Sequence, residues 1–167
     1  MAANDQGADQ TSGRWTTIPR TLCFVTNDGD VLLMKRDEHR RIFPGRYNGI
    51  GGHLERGEDP LTGALREIRE ETGLTISDIR LRGISNIDVG QDVGVLLFVF
   101  TAVSDSREVG ETDEGTLHWV PITQVNNLPL VEDLPVLLPR LFSPQTELFF
   151  AHVSYDSGDQ LLIRFVD

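Results

Sequence analysis

The residues best placed to do chemistry are Glu67, Glu70 and Glu71, which fall within five consecutive positions. A helix advances about 100° per residue, so with Glu67 at zero, Glu70 lies at about 300° and Glu71 at about 40°. All three carboxylates then share one face roughly 100° wide. Like charges at these spacings disfavour a helix unless something cationic compensates. An oxygen-only donor set, with no His or Cys on the segment, suits a hard divalent ion such as Mg²⁺ or Mn²⁺. A solvated acidic face relieved by Arg66 and Arg69 accounts for the same residues without an ion.

The element that must carry these carboxylates is well marked. Asp59 supplies an N-cap and Pro60 a first helical residue. Leu61, Ala64, Leu65 and Ile68 recur at helical spacing, and Gly73 supplies a stop. The pattern predicts a helix over Pro60–Thr72. Its apolar stripe spans about 60° to 160°, beside the carboxylates rather than opposite them. That places the acidic face at the edge of a core, where a cleft can form.

Around the helix the chain reads mostly as strands. Trp15–Thr26 and Val31–Met34 flank the turn Asn27-Asp28-Gly29-Asp30, a hairpin signature. Arg36–Arg46 is a charged loop, and the Gly-rich stretch Tyr47–His53 predicts a short strand with close backbone approach. Ile79–Ile87, Val93–Val103 and Thr116–Val120 predict further strands, the second apolar enough to be central. Pro121–Val125 and Glu132–Phe142 predict short helical turns. Phe149–Tyr155 and Leu161–Val166 flank Asp156-Ser157-Gly158-Asp159 as a final hairpin. The sum is an α+β chain with α/β/α layering, a mixed central sheet and a C-terminal β-hairpin. Residues 1–13 are polar and expected to be a disordered leader, leaving residues 14–167 as a single domain.

Composition narrows the partners. The chain has 167 residues, with 15 basic against 26 acidic side chains and a net charge of −11, which argues against a nucleic-acid polymer. No apolar run approaches the ~18 residues of a membrane span, and no basic-then-apolar start marks a signal peptide. Cys23, between Leu22 and Phe24, is the only cysteine and reads as a small buried hydrophobe. A lone thiol without a signal points to the cytoplasm.

Gly52, Glu58, Arg66, Glu67, Ile68, Glu70, Glu71, Gly73 and Leu74 follow the spacing G-x5-E-x7-R-E-U-x-E-E-x-G-U, where U is a bulky apolar residue. Residues 52–74 thereby resemble the Nudix box at every fixed position. Residue frequencies put a chance match on the order of one in several million. The resemblance implies a hydrolase that splits a nucleoside diphosphate linked to another group, using divalent cations and a metal-activated water. It assigns Glu67, Glu70 and Glu71 to the metal and Arg66 to orienting a carboxylate. Glu58 supports the helix, and Gly51 and Gly52 let a backbone carbonyl face a metal. Glu114 stands where some members carry an extra metal-binding or catalytic glutamate; surface charge is the plain alternative.

The segment Gly45-Arg46-Tyr47-Asn48-Gly49-Ile50-Gly51-Gly52 is similar to RWNGxGG of the oxidised-purine nucleoside triphosphatase branch. That resemblance implies that Asn48, with a donor and an acceptor, contacts the base; a turn residue is the alternative. Tyr47 stands where the branch has Trp. Glu132-Asp133 resembles the branch's base-reading acidic pair, shifted by about a residue, and a helix N-cap is the plain role for Asp133. Between Lys35 and Arg46, five basic residues against Asp37 and Glu38 give a local charge of +3, and Lys35 and Arg36 are the candidates for phosphate oxygens.

The expected reaction is therefore Mg²⁺- or Mn²⁺-dependent hydrolysis of a nucleoside triphosphate, oxidised purines included, to a monophosphate and pyrophosphate. The enzyme alternative is a Nudix pyrophosphatase for ADP-ribose or a dinucleoside polyphosphate; Asp88–Gly90 and Gln91-Asp92 lack the proline and tyrosine that mark those branches. A non-catalytic nucleotide-binding regulator is disfavoured by the intact box. An isomerase on this fold needs an active-site cysteine, which Cys23 does not suit. The expected partner is a small nucleotide, with the protein a monomer or homodimer. The C-terminal hairpin has no functional reading from sequence beyond covering a sheet edge or forming a dimer interface.

Overall fold

The computed structural model describes residues 7–8, 13–144 and 147–166, so most of the expected leader (residues 1–6 and 9–12) lies outside the described residues. Strands β1 (Thr16–Asn27) and β2 (Asp30–Arg36) form the expected hairpin. Asp28 and Gly29 both take positive φ, 46° and 85°, the turn geometry that matches strand twist. Next come β3 (Tyr47–Asn48), α1 (Pro60–Thr72), β4 (Ile76–Ile87) and β5 (Val93–Ser104). After them are β6 (Gly115–Pro121), a 3-10 helix over Ile122–Asn127, α2 (Leu134–Leu141), β7 (Phe149–Tyr155) and β8 (Leu161–Val166).

The eight strands form one sheet in the order β3-β2-β1-β5-β4-β7-β8, with β6 also paired to β2. β1 runs parallel to β5 and β4 parallel to β7, while the other pairs are antiparallel. The mixed sheet is thus confirmed, with β5 inside it and the C-terminal hairpin at one edge.

Alternation along the first hairpin builds a core on each side of the sheet. Leu22, Phe24, Val31 and Leu33 pack with Leu134, Leu137, Leu138 and Leu141 of α2. Cys23, Val25, Leu32 and Met34 pack with Ala64 and Ile68 of α1. Successive strand residues face opposite ways, so four consecutive apolar residues on each strand feed two cores. That is the α/β/α layering. Cys23 is fully buried, and burial pushes its thiol up, out of reach of ordinary deprotonation.

Two expectations are corrected. Leu61 and Leu65 are 44% and 39% exposed rather than part of the core. The buried face of α1 is instead Gly63, Ala64, Ile68, Glu71 and Thr72. Small residues make the difference: a Cβ on Gly63 would run into Leu54 and stand 2.9 Å from Glu58 Oε1. The helix therefore seats itself on its small side, and its buried arc runs from about 320° through zero to about 140°. That rotation draws Glu71 into the buried face.

The strand expected over Tyr47–His53 is only two residues long, followed by single bridges of Ile50 to Cys23 and His53 to Arg20. Gly51 has φ 153°, and a Cβ there would collide with the Thr21 carbonyl of β1. The close approach to β1 breaks the regular ladder.

Candidate active site

Helix α1 is capped as expected. Asp59 Oδ1 accepts from the Leu61 and Thr62 amides (2.8 and 3.0 Å), and Gly73 (φ 75°) donates to the Arg69 carbonyl. These caps fix the ends of the helix, while its packing on Gly63 and Ala64 sets the direction of its carboxylates.

Arg66 organises that face. Its Nε and Nη2 donate to the two oxygens of Glu58 (3.1 and 2.7 Å), and Nη2 also donates to the His53 carbonyl (3.0 Å). Its Nη1 donates to Glu67 Oε1 (2.9 Å) and Glu70 Oε2 (3.0 Å). The Arg66 hydrogen bonds, helped by the Glu55 amide, hold the Glu58 carboxyl below the usual range. Arg66 thus offsets charge on Glu67 and Glu70 but makes no hydrogen bond to Glu71. Among the described residues no three His, Cys, Asp or Glu side chains converge as they stand to grip an ion.

Glu71 is set apart. Its side chain lies in the buried face, where Oε2 accepts from the Gly51 amide (3.2 Å). Burial, reinforced by the negative charges of Glu114 and Glu67, pushes its carboxyl up to about 8. Gly52 closes on the same cluster: a Cβ there would stand 2.5 Å from Glu67 Oε1. The Gly52 carbonyl is turned to β1 and accepts from the Thr21 amide (2.9 Å).

Two arginines of the charged loop are tied to the segment before β6. Arg36 Nη1 donates to Glu114 Oε2 (3.0 Å), and Arg40 Nη2 donates to the Asp113 carbonyl (2.6 Å). Glu114 is thereby brought between the basic loop and Glu71.

A cavity of about 320 Å³ opens beside this cluster. Its wall includes Gly51, Gly52, Arg36, Glu114, Asn48, Glu132 and Asp133. Lys35 and Tyr47 are not in the wall. The Tyr47 ring packs edge-on against His118, at 5.5 Å between centroids. The Tyr47 backbone instead binds the loop before the acidic pair, donating to the Pro129 carbonyl and accepting from the Val131 amide, both at 3.0 Å.

Asn48 Oδ1 accepts from the Gly49 amide (2.8 Å), so the residue shapes a turn while lining the cavity. Asp133 makes no N-cap bond to α2. Its Oδ1 is buried without a partner, and burial, with Glu132 beside it, raises its carboxyl. Buried side-chain atoms without partners among the described residues are Thr21 Oγ1, Arg36 Nε, Arg82 Nε and Asp133 Oδ1; Thr21, Arg36 and Asp133 all line this cavity. Such atoms are costly unless something binds them.

Sequence reasoning missed part of the wall. Val153, Tyr155 and Leu161 of the C-terminal hairpin line it, as do Arg20 and His53. The parallel pairing of β4 with β7, which carries the hairpin to the cavity, leaves no local signal in the sequence.

A NUDIX domain model matches residues 16–141. The chain belongs to the Nudix family. It is similar to an oxidized purine nucleoside triphosphate hydrolase of Mus musculus, 32% identical over 152 residues, or 88% of this chain and 94% of that protein. An uncharacterized Nudix hydrolase of Bacillus subtilis, YvcI, is 32% identical over 115 residues, 66% of this chain and 70% of its own. Among solved structures, a MutT mutator protein of Bacillus halodurans superposes with a TM-score of 0.76 at 29% identity, covering 89% of this chain and 97% of that one. The chain is a Nudix hydrolase, a pyrophosphohydrolase with Arg66, Glu67, Glu70 and Glu71 all present.

Proposed function

We propose that this Nudix hydrolase splits a purine nucleoside triphosphate, oxidised purines included, into a monophosphate and pyrophosphate with Mg²⁺ or Mn²⁺. The observation that carries the reading is one cavity that joins the rim of the carboxylate cluster to Asn48 and the unpartnered Asp133 Oδ1. The mouse relative's activity on oxidised purine nucleoside triphosphates supports it.

The residues fit a divalent cation. Glu67, Glu70 and Glu71 offer only oxygen donors, and Glu71 is a buried acid crowded by Glu114 and Glu67, whose charge a cation would relieve. Once bound, the metal neutralises polyphosphate charge and acidifies a water. Gly51 or Gly52 would offer a backbone carbonyl, the latter already accepting from the Thr21 amide. Arg66, fixed by Glu58 and the His53 carbonyl, steers Glu67 and Glu70. One of the three glutamates, or Glu114, takes the water's proton. Arg36, in the cavity wall, holds phosphate oxygens. Asn48, Asp133 and Glu132 read the base edge. Lys35 and Tyr47 act from behind the wall, Tyr47 by tethering residues 129–131.

The test is a phosphate-release screen of nucleotides with Mg²⁺ or Mn²⁺. Purine nucleoside triphosphates should be turned over fastest, giving pyrophosphate. Hydrolysis of ADP-ribose far faster than any triphosphate would overturn the substrate assignment.

A further inference from the structure

We infer that Arg20, clasped by His53, is a polyphosphate-anchoring residue of this cavity and forms with Arg36 a two-arginine clamp facing the carboxylate cluster. This deepens the nucleotide reading of the site and rests on it.

Arg20 is half-buried on β1 and lines the cavity. Its Nε donates to His53 Nε2 at 3.1 Å. An imidazole nitrogen that accepts this bond carries no proton, so it leaves the guanidinium charge uncompensated. None of the ion pairs among the described residues includes Arg20. That is unexpected in a chain with 26 acidic against 15 basic side chains. The charge acting on it is Arg36, another cation; burial first, and then Arg36, pull its pKa down. Two guanidiniums thus share a cavity wall, Arg36 paired to Glu114 and Arg20 in no ion pair among the described residues. Arg36 spends Nη1 on Glu114 but leaves its buried Nε unpartnered. The wall also holds Thr21, whose buried Oγ1 has no partner.

The placement is rigid. The Thr21 amide donates to the Gly52 carbonyl (2.9 Å), and the next carbonyl, that of His53, accepts from Arg66 Nη2 (3.0 Å). Residues 51–53 therefore fasten the cationic wall to the carboxylate helix. A ligand spanning the two needs several oxyanions in a row. One group of oxygens meets the guanidiniums, which match phosphate geometry bidentately, and another meets the metal-bearing carboxylates. A polyphosphate has that form.

The test uses the full chain in two assays: metal-free calorimetric titration with inorganic tripolyphosphate, and steady-state kinetics on nucleoside triphosphates with Mg²⁺. Arg20→Gln should weaken tripolyphosphate binding at least about tenfold and raise KM about 10- to 100-fold, with kcat within about threefold, because the contact is made before and during reaction alike. Arg20→Lys should recover part of the affinity as a point charge, and it also serves if Arg20→Gln does not fold. A purely structural role predicts the opposite: a lowered Tm, with tripolyphosphate affinity and KM unmoved in whatever folds. Wild-type KM and tripolyphosphate affinity in folded Arg20→Gln would overturn the inference while leaving the nucleotide reading intact. If no nucleotide is hydrolysed but wild-type protein binds tripolyphosphate and Arg20→Gln does not, the clamp stands and the substrate reading falls. If wild-type protein does not bind tripolyphosphate, the clamp is wrong.

Discussion

The carboxylate cluster on α1 and the cavity beside it are built on opposite principles. At the α1 end, Arg66 donates to Glu58, Glu67, Glu70 and the His53 carbonyl, so the carboxylate face is held by its own hydrogen bonds. At the other, Asp133 Oδ1 is buried without a partner. A region whose polar groups are already paired keeps its shape without ligand. A region with unpaired buried groups is less stable than it could be, and that deficit is recovered only when something binds. On the proposed reading, the first would set the geometry of the chemistry and the second would select what enters.

The sharpest test of this division is Glu70→Gln. Glu70 is 60% exposed and held by Arg66, so its loss should barely alter Tm, while the rate of triphosphate hydrolysis should fall at least about 100-fold through loss of a metal ligand. A variant as active as wild type would remove Glu70 from the metal assignment. At the other end, Asp133→Asn should leave Tm equal or raised, since a carboxylate disfavoured by burial, with Oδ1 unpartnered, is replaced by a neutral amide. Its kcat/KM for purine triphosphates should drop about 10- to 100-fold, the range for one mispaired hydrogen bond. A fall in Tm with unchanged kcat/KM would show that the two ends do not differ in this way.

Smaller effects probe the paired end. Gly52→Ala sets a Cβ 2.5 Å from Glu67 Oε1. The glutamate can swing aside at little cost in stability, so Mg²⁺ affinity, read by titration, should weaken about tenfold with Tm nearly constant. A last test concerns pH. Glu71 has its carboxyl raised from 4.5 to about 8, so between those values the folded protein binds a proton that the unfolded chain has released. Its contribution to stability is present in full below about 4.5 and is lost as pH rises toward about 8. Metal-free Tm should decline over that window, Glu71→Gln should flatten the decline, and Mg²⁺ should oppose it. A Tm profile that Glu71→Gln leaves unchanged would show that Glu71 titrates normally.

The paired end was readable from the sequence because it is local. Asp59, Pro60 and Gly73 bound α1 at Pro60–Thr72, and the spacing of Glu58, Arg66, Glu67 and Glu70 is a helical and near-helical relation. The Asp28-Gly29 turn and the C-terminal hairpin were legible for the same reason. The rotation of α1 was not. A stripe of Leu61, Ala64, Leu65 and Ile68 reads as the buried face, yet packing favoured the small side at Gly63 and Ala64 and drew in a glutamate. The unpaired end is assembled from β1, the β3 region, the loop before α2 and the hairpin. Arg20 with His53, and Tyr155 with Asp133, are distant in sequence, and no spacing rule reports their approach. Lys35 and Arg36 are adjacent and alike in charge, and only the fold shows that Arg36 enters the cavity wall.

The pairing of β1 also governs when this molecule can assemble. β1 shares three residue pairs with β2 but eleven with β5, which begins only at Val93. Contacts between such remote segments form slowly, because a long loop must close before they reward it. At about 5–20 residues per second on a ribosome, β1 waits several seconds for its main partner. During that time Leu22, Cys23, Phe24 and Val25, all buried in the finished sheet, have no core to enter. The strand that carries Arg20 into the cavity is thus the one that newly made chains must longest keep from sticking to each other.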